Sequence, residues 1–196
     1  RALPGLWPDG DADALLEYYH AAEPEVEREQ PALSYREVMT ETTRRIAAAR
    51  GLALAEPSAV ADSLPSWDPF PEVPGSLAQL RERGWRLAAL SNTDPDLIAA
   101  SIERIGVPFD EIVTAADAGS YKPAHGHWRV FFDRTGAAAD EHIHVAASLY
   151  HDIAPAGELG LRSVWINRLG ERPGPEPTRE LPDLAGLPDT LDQLVP

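Results

Sequence analysis

Trp85-Arg86-Leu87-Ala88-Ala89-Leu90-Ser91-Asn92-Thr93-Asp94-Pro95 is the stretch that decides the fold. Its first six residues make an apolar run of the length of a buried strand, and Ser91-Asn92-Thr93 interrupts it with three small polar side chains. Asp94-Pro95 then starts a helix, since a proline in the first turn gives up only an amide that has no intrahelical partner. Working outward, the same alternation continues. Residues 74–83 read as a helix that Gly84 ends, and the helix begun at Asp94 runs to Ile105, where Gly106 stops it. Residues 111–114 read as a strand, 124–134 as a helix, 143–147 as a strand, 153–159 as a helix and 162–166 as a strand. Such alternation predicts an α/β fold: a parallel sheet with helices on both faces. Residues 170–188, rich in Pro, Gly and Glu, read as a surface loop, and residues 190–195 as an amphipathic close.

The N-terminal third has a different texture. Residues 11–63 carry helical periodicity and no strand. Asp11 or Asp13 caps a helix through Leu15, Leu16 and Tyr19, and Ser34 caps a second through Val38, Thr42 and Ile46. Gly51 ends that second helix, and Pro57-Ser58 opens a short third one. The proline-rich segment 65–74 reads as a hinge. The expected domains are therefore a remnant of a core segment at 1–10, a helical insertion at 11–64 and an α/β core at 65–196.

Composition narrows the class. The 196 residues carry a formal charge of −15, which argues against a nucleic-acid partner. No apolar run reaches the roughly 18–20 residues of a membrane span, nothing at the start resembles a secretory signal, and a cytoplasmic location is expected. The absence of cysteine excludes disulfides, thiolate metal sites and a cysteine nucleophile. Of 17 basic side chains, Lys122 alone is lysine. A compact ammonium kept in an otherwise all-arginine set points to a place where a planar guanidinium does not serve.

Ligands of parallel α/β sheets bind at the carboxyl ends of the strands, where helix N-termini also point their amides. Three polar clusters fall there: Ser91-Asn92-Thr93 after the first strand, Lys122 in the loop after the second, and Ser148 with Asp152 after the third. Each alone reads equally as a helix cap; together they outline a site. Strand-Ser-Asn-Thr, then Tyr121-Lys122-Pro123 about 30 residues on, then strand and Asp152, then Val164-Trp165-Ile166-Asn167-Arg168, resembles the haloacid dehalogenase-like hydrolase superfamily, most closely its L-2-haloacid dehalogenase branch. The resemblance implies a Rossmann-like core with an inserted α-helical cap, a small anionic substrate held between core and cap, and a possible homodimer.

It also implies roles. An aspartate nucleophile at the end of a first strand, in an Asp-x-x-Gly-Thr context, attacks carbon or phosphorus, and water cleaves the resulting ester. Ser91, Asn92 and Thr93 would bind the substrate's anionic group, Lys122 would neutralise the clustered carboxylates, and Asp152 would pair with Lys122 and place the water. Ser148, Trp128 and Arg36 are further candidates for substrate contact; Trp128 stands where the branch has tyrosine, and Arg36, like Arg28, lies in the region of its cap arginine. Asp-x-x-Gly-Thr does not occur in the 196 residues, and Asp9, Asp11 and Asp13 lack an apolar strand before them. The first strand is thus expected outside this stretch, or the protein is a non-catalytic member. The metal-binding carboxylate that Mg²⁺-dependent phosphatases place five residues before Asp152 is here Ala147. That favours metal-free displacement at carbon, with no cofactor; Mg²⁺ belongs to the phosphatase alternative alone. Against the dehalogenase branch, Ala147 replaces Ser and Leu149 replaces Asn.

Among other residues, His125 and His127 open a helix on different faces, and His142 and His144 read as surface or packing histidines. His151 adjoins Asp152 as a titrating neighbour, Trp165 belongs to the core, Arg168 reads as a solvated loop charge, and the acidic run from Glu23 to Glu29 as a solvated helix face.

Overall fold

The structure, a computed structural model, describes every residue except Arg1, Asp9, Pro173 and Pro196. The chain divides into two compact units: Arg1–Trp67 with Asn92–Ser101, and Asp68–Ser91 with Ile102–Pro196.

The first unit is helical. Helix α1 spans Ala2–Leu6, α2 Ala12–Glu29, α3 Tyr35–Arg50 and α4 Ala59–Ser63. The caps are those the sequence announces. The Asp11 carboxylate accepts the amides of Asp13 and Ala14 at 3.0 and 3.1 Å. Ser34 and Glu37 form a reciprocal capping box, the Ser34 amide donating to Glu37 at 2.8 Å and the Glu37 amide to Ser34 Oγ at 3.3 Å. Gly51, at φ 63°, closes α3 in the left-handed region that a side chain would strain. Trp7, Leu15, Tyr19, Met39, Ile46, Val60, Leu64 and Leu97 bury into one apolar cluster. The acidic run departs from its reading, because α2 turns Glu27 inward to 5 % exposure and Tyr35 donates its hydroxyl to Glu23 at 2.9 Å.

The second unit is α/β. After α5 (Val73–Glu82) come β1 (Ala88–Ser91), α6 (Pro95–Ile105, shared with the first unit), β2 (Glu111–Thr114), α7 (Ala115–Ala118) and α8 (Gly126–Thr135). Then follow β3 (Ile143–Ala146), α9 (Ala154–Glu158), β4 (Arg162–Ile166), β5 (Arg179–Leu181) and α10 (Leu187–Leu194). Every described pairing is parallel, as the alternation predicts, but the strands form two sheets, β1-β2 and β3-β4-β5. Leu87, Val164 and Ile166 pack with Leu77 and Leu80 of α5 and Leu187 and Leu191 of α10, whereas Leu90 packs with Trp128 of α8 and Ala156 of α9. Helices therefore cover both faces. Strand β5 corrects the surface-loop reading of 170–188: Arg-Glu-Leu carries no apolar alternation, and pairing with β4 makes it a strand, the Asn167 amide reaching Leu181 O at 2.8 Å. The expected helix at 153–159 is also recast, since its first turn is a π-turn over Leu149–Ile153 that places Asp152 inside the turn. No described helix is long and apolar enough to cross a membrane.

Candidate active site at the carboxyl ends of β1 and β3

Strand geometry fixes where Lys122 goes. Main-chain carbonyls alternate sides along a strand. Leu87 O, just before β1, accepts the Asp110 amide at 2.7 Å on the β2 side. Leu90, an odd number of residues on, turns its carbonyl to the opposite, unladdered edge, and there the Lys122 ammonium donates to it at 2.8 Å. The same ammonium holds Asp152 Oδ1 at 2.6 Å. Because Asp152 follows β3, one lysine ties together the carboxyl ends of β1 and β3, which no backbone ladder joins.

The pair is buried, Lys122 at 8 % and Asp152 at 6 % exposure. Burial alone would raise the Asp152 carboxyl, but a hydrogen bond from His144 and the Lys122 charge hold it down at about 2. It is therefore an ionised, charge-paired carboxylate at any ordinary pH. His144 Nε2 lies 3.0 Å from Asp152 Oδ1, and Trp128 Nε1 lies 3.3 Å from His144 Nδ1. His144 is thus a site residue, where sequence reasoning had left it to packing or surface. The missed signal was the strand period: in Ile143-His144-Val145-Ala146 the histidine, buried to 5 % exposure, points to the face that Asp152 closes.

Ser91 ends β1, and its carbonyl accepts from His127 Nε2 at 3.0 Å. Burial pushes the His127 imidazole down to about 4, so the ring is neutral and its Nε2 carries the proton. His125, on the other side of the helix start, faces Glu158 instead at 3.0 Å.

The remaining candidates fall into three groups. Ser148 caps the π-turn, its Oγ accepting the His151 amide at 3.1 Å and touching His151 Nδ1 at 3.1 Å, so both serve to shape the loop that carries Asp152. Trp128 is 1 % exposed and spends its N–H on His144; it buttresses the ion pair from behind rather than presenting a face to ligand. Asn92, Thr93 and Arg36 belong to the helical unit. Asn92 Nδ2 donates to the buried Glu27 at 3.1 Å, and Thr93 is 8 % exposed. Arg36 pairs with Asp96 at 2.7 Å and Asp62 at 3.5 Å. Of the aspartates weighed as nucleophiles, Asp11 caps α2, Asp13 lies exposed in its first turn, and Asp9 lies outside the described residues.

Trp165 is core, fully buried with its N–H on Ala147 O at 3.0 Å. Arg168 is not a solvated loop charge: it bonds Glu72 at 2.5 Å and stacks over Phe70 at 3.8 Å. His142 packs between Phe131 and Phe132.

Comparison with known proteins follows the same lines. Haloacetate dehalogenase H-2 of Moraxella sp. (strain B) is 34% identical over 104 residues, covering 52% of this chain and 46% of that one. Phosphoserine phosphatase of Thermus thermophilus is 32% identical over 117 residues, covering 59% of this chain and 46% of the relative. The chain thus spans about half the length of the curated relatives it matches. A crystal structure of an L-2-haloacid dehalogenase superposes with TM-score 0.86 over 97% of this chain and 90% of that one at 22% identity, a likeness of fold. A family profile of haloacid dehalogenase-like hydrolases matches residues 8–177. With that match over most of its length, and with Lys122 and Asp152 paired at the strand ends, the chain belongs to the haloacid dehalogenase-like hydrolases.

Proposed function

We propose that the protein is a metal-independent hydrolase of the 2-haloacid dehalogenase kind, acting on a small anionic substrate at the carboxyl ends of β1 and β3. The observation that carries this reading is the buried Lys122–Asp152 pair on the open edge of β1. An ammonium in that position lets a second carboxylate and an anionic substrate approach without unscreened repulsion, an effect that low polarity strengthens. Asp152 is committed to the pair and its basicity is depressed, so it serves as electrostatic partner and water-orienting acceptor, not as nucleophile.

In this reading the attacking aspartate comes from outside these 196 residues. The edges of β1 and β3 offer main-chain donors and acceptors for a strand that would carry it. Its carboxylate attacks the halogen-bearing carbon and halide leaves with the bonding pair. Water then adds to the ester carbonyl, returning the carboxylate and releasing a 2-hydroxy acid. Ala147 stands where the Mg²⁺-dependent branch has a carboxylate, which supports a metal-free route.

A Mg²⁺-dependent phosphatase is the second reading, favoured by the phosphoserine phosphatase relative. The test is halide release from the two enantiomers of 2-chloropropionate with and without EDTA, beside Mg²⁺-dependent turnover of p-nitrophenyl phosphate. Halide released from one enantiomer and unaffected by EDTA is the expected result. Turnover of the phosphate ester alone replaces this reading with the second, and absence of both with retained chloropropionate binding makes the protein a non-catalytic anion binder.

A further inference from the structure

We infer that His144 is a positioning residue for the Lys122–Asp152 pair, fixing which oxygen of the Asp152 carboxylate faces substrate and water. The catalytic consequence rests on the hydrolase reading above; the geometry does not. An indole N–H only donates, so Trp128 Nε1, 3.3 Å from His144 Nδ1, requires that nitrogen to be the acceptor. The ring proton therefore sits on Nε2, which points at Asp152 Oδ1 at 3.0 Å. Trp128, itself 1 % exposed and anchored in α8 among Ala156 and Leu161, thus holds the His144 ring in one orientation, with its Nε2 proton on Asp152.

Two donors then converge on a single carboxylate oxygen, the imidazole N–H from β3 and the Lys122 ammonium from the loop before α8. Asp152 Oδ2 accepts no hydrogen bond from any described residue. The carboxylate cannot rotate without breaking both bonds to Oδ1, so Oδ2 is held ready as the acceptor for a water or substrate proton. Orientation of a second group by a histidine whose other nitrogen is fixed is the logic that a third residue brings to hydrolytic sites. Here the order is Trp128 to His144 to Asp152.

The test compares His144→Leu, which removes the donor at similar volume, with His144→Gln, whose amide nitrogen reaches the place of Nε2. Nitrogen NMR of the wild-type His144 ring is expected to show a proton on Nε2 and none on Nδ1. Carbon NMR of the Asp152 carboxyl is expected to show its midpoint rising by roughly one unit in His144→Leu, the worth of one hydrogen bond, and returning toward wild type in His144→Gln. With 2-chloropropionate, kcat should fall roughly tenfold in His144→Leu, with KM nearly unchanged, and recover in His144→Gln. A proton on Nδ1, or an Asp152 midpoint unmoved in His144→Leu, overturns the inference. Both readings are spectroscopic, so a protein without dehalogenase turnover would refute the hydrolase reading and leave this one to be decided by the ring and carboxyl signals. Should His144→Leu fail to fold, the wild-type ring and the His144→Gln midpoint decide it.

Discussion

Replacing Lys122 by methionine keeps the length of the stem and removes the charge, and the structure gives the size and the pH dependence of the loss. In the folded protein the Asp152 carboxyl lies at about 2, against an ordinary 3.8. At about 1.4 kcal/mol per unit, that depression contributes about 2.5 kcal/mol of stability at neutral pH. Its sign is that of a carboxylate with a lowered pKa: the contribution is complete above pH 4 and lost as pH falls through 2. Without the ammonium, burial, which raises this carboxyl, is opposed by His144 and no longer by Lys122. Asp152 should then titrate higher than in the wild type, and the stability it contributes at neutral pH should shrink. Breaking a buried pair costs about 3–5 kcal/mol, here reduced by the surviving His144 bond to about 3 kcal/mol at pH 7. For a chain of this length that is a melting temperature lower by roughly 6–12 °C. The assay is thermal and urea unfolding of both proteins between pH 3 and 8. The difference between them should be largest at neutral pH and shrink below pH 4. Equal melting at pH 7, or a difference that does not depend on pH, would refute the assignment of Lys122 as the charge that keeps Asp152 ionised.

Two further outcomes can be measured the same way. Burial pushes the His142 imidazole from 6.5 to about 4, so the ring folds neutral and the protein loses stability as pH drops from 6.5 to 4. That loss amounts to about 3 kcal/mol, and His142→Phe, packed between the same phenylalanines, should flatten the stability profile across that window. Gly126 opens α8 with Ser120 Oγ and Ala118 O only 2.5 and 2.8 Å from where a Cβ would sit; Gly126→Ala should destabilise by about 1–3 kcal/mol in urea unfolding, and an unchanged midpoint would mean the α7–α8 junction relaxes freely.

The parts of the fold that were legible are those written in local chemistry. Ser34-x-x-Glu37, Gly51, Asp94-Pro95 and the apolar run to Leu90 each specify a cap, a stop or a strand through contacts within a few residues. Strand β5 was hidden because Arg179-Glu180-Leu181 is a strand only through its partner β4, and pairing across a 12-residue gap leaves no periodic trace. The inward turn of Glu27 was hidden for a related reason: its solvated look comes from its acidic neighbours, while its burial comes from α2 packing on α3 and from Asn92, 65 residues away. At the site, Lys122 and Asp152 announced themselves by rarity and by position after strands. His144 announced itself only through the two-residue period of a four-residue strand, and its partners Trp128 and Asp152 lie 16 and 8 residues off.

The solitary lysine has a physical explanation in this geometry. Its ammonium must satisfy a main-chain carbonyl on a strand edge and a carboxylate oxygen beyond it, at 2.8 and 2.6 Å, within a space 9 % exposed. A tetrahedral ammonium meets two acceptors in different directions from a narrow stem. A guanidinium offers its donors in one plane and suits acceptors that lie side by side, as Arg36, Arg83 and Arg134 do at the surface with paired aspartates and glutamates. At Lys122 the acceptors are not side by side: one belongs to β1 and the other to the turn after β3. The residue type is dictated by the need to span two strands that share no ladder, which is also the need of a site where a charge must serve groups arriving from both sides.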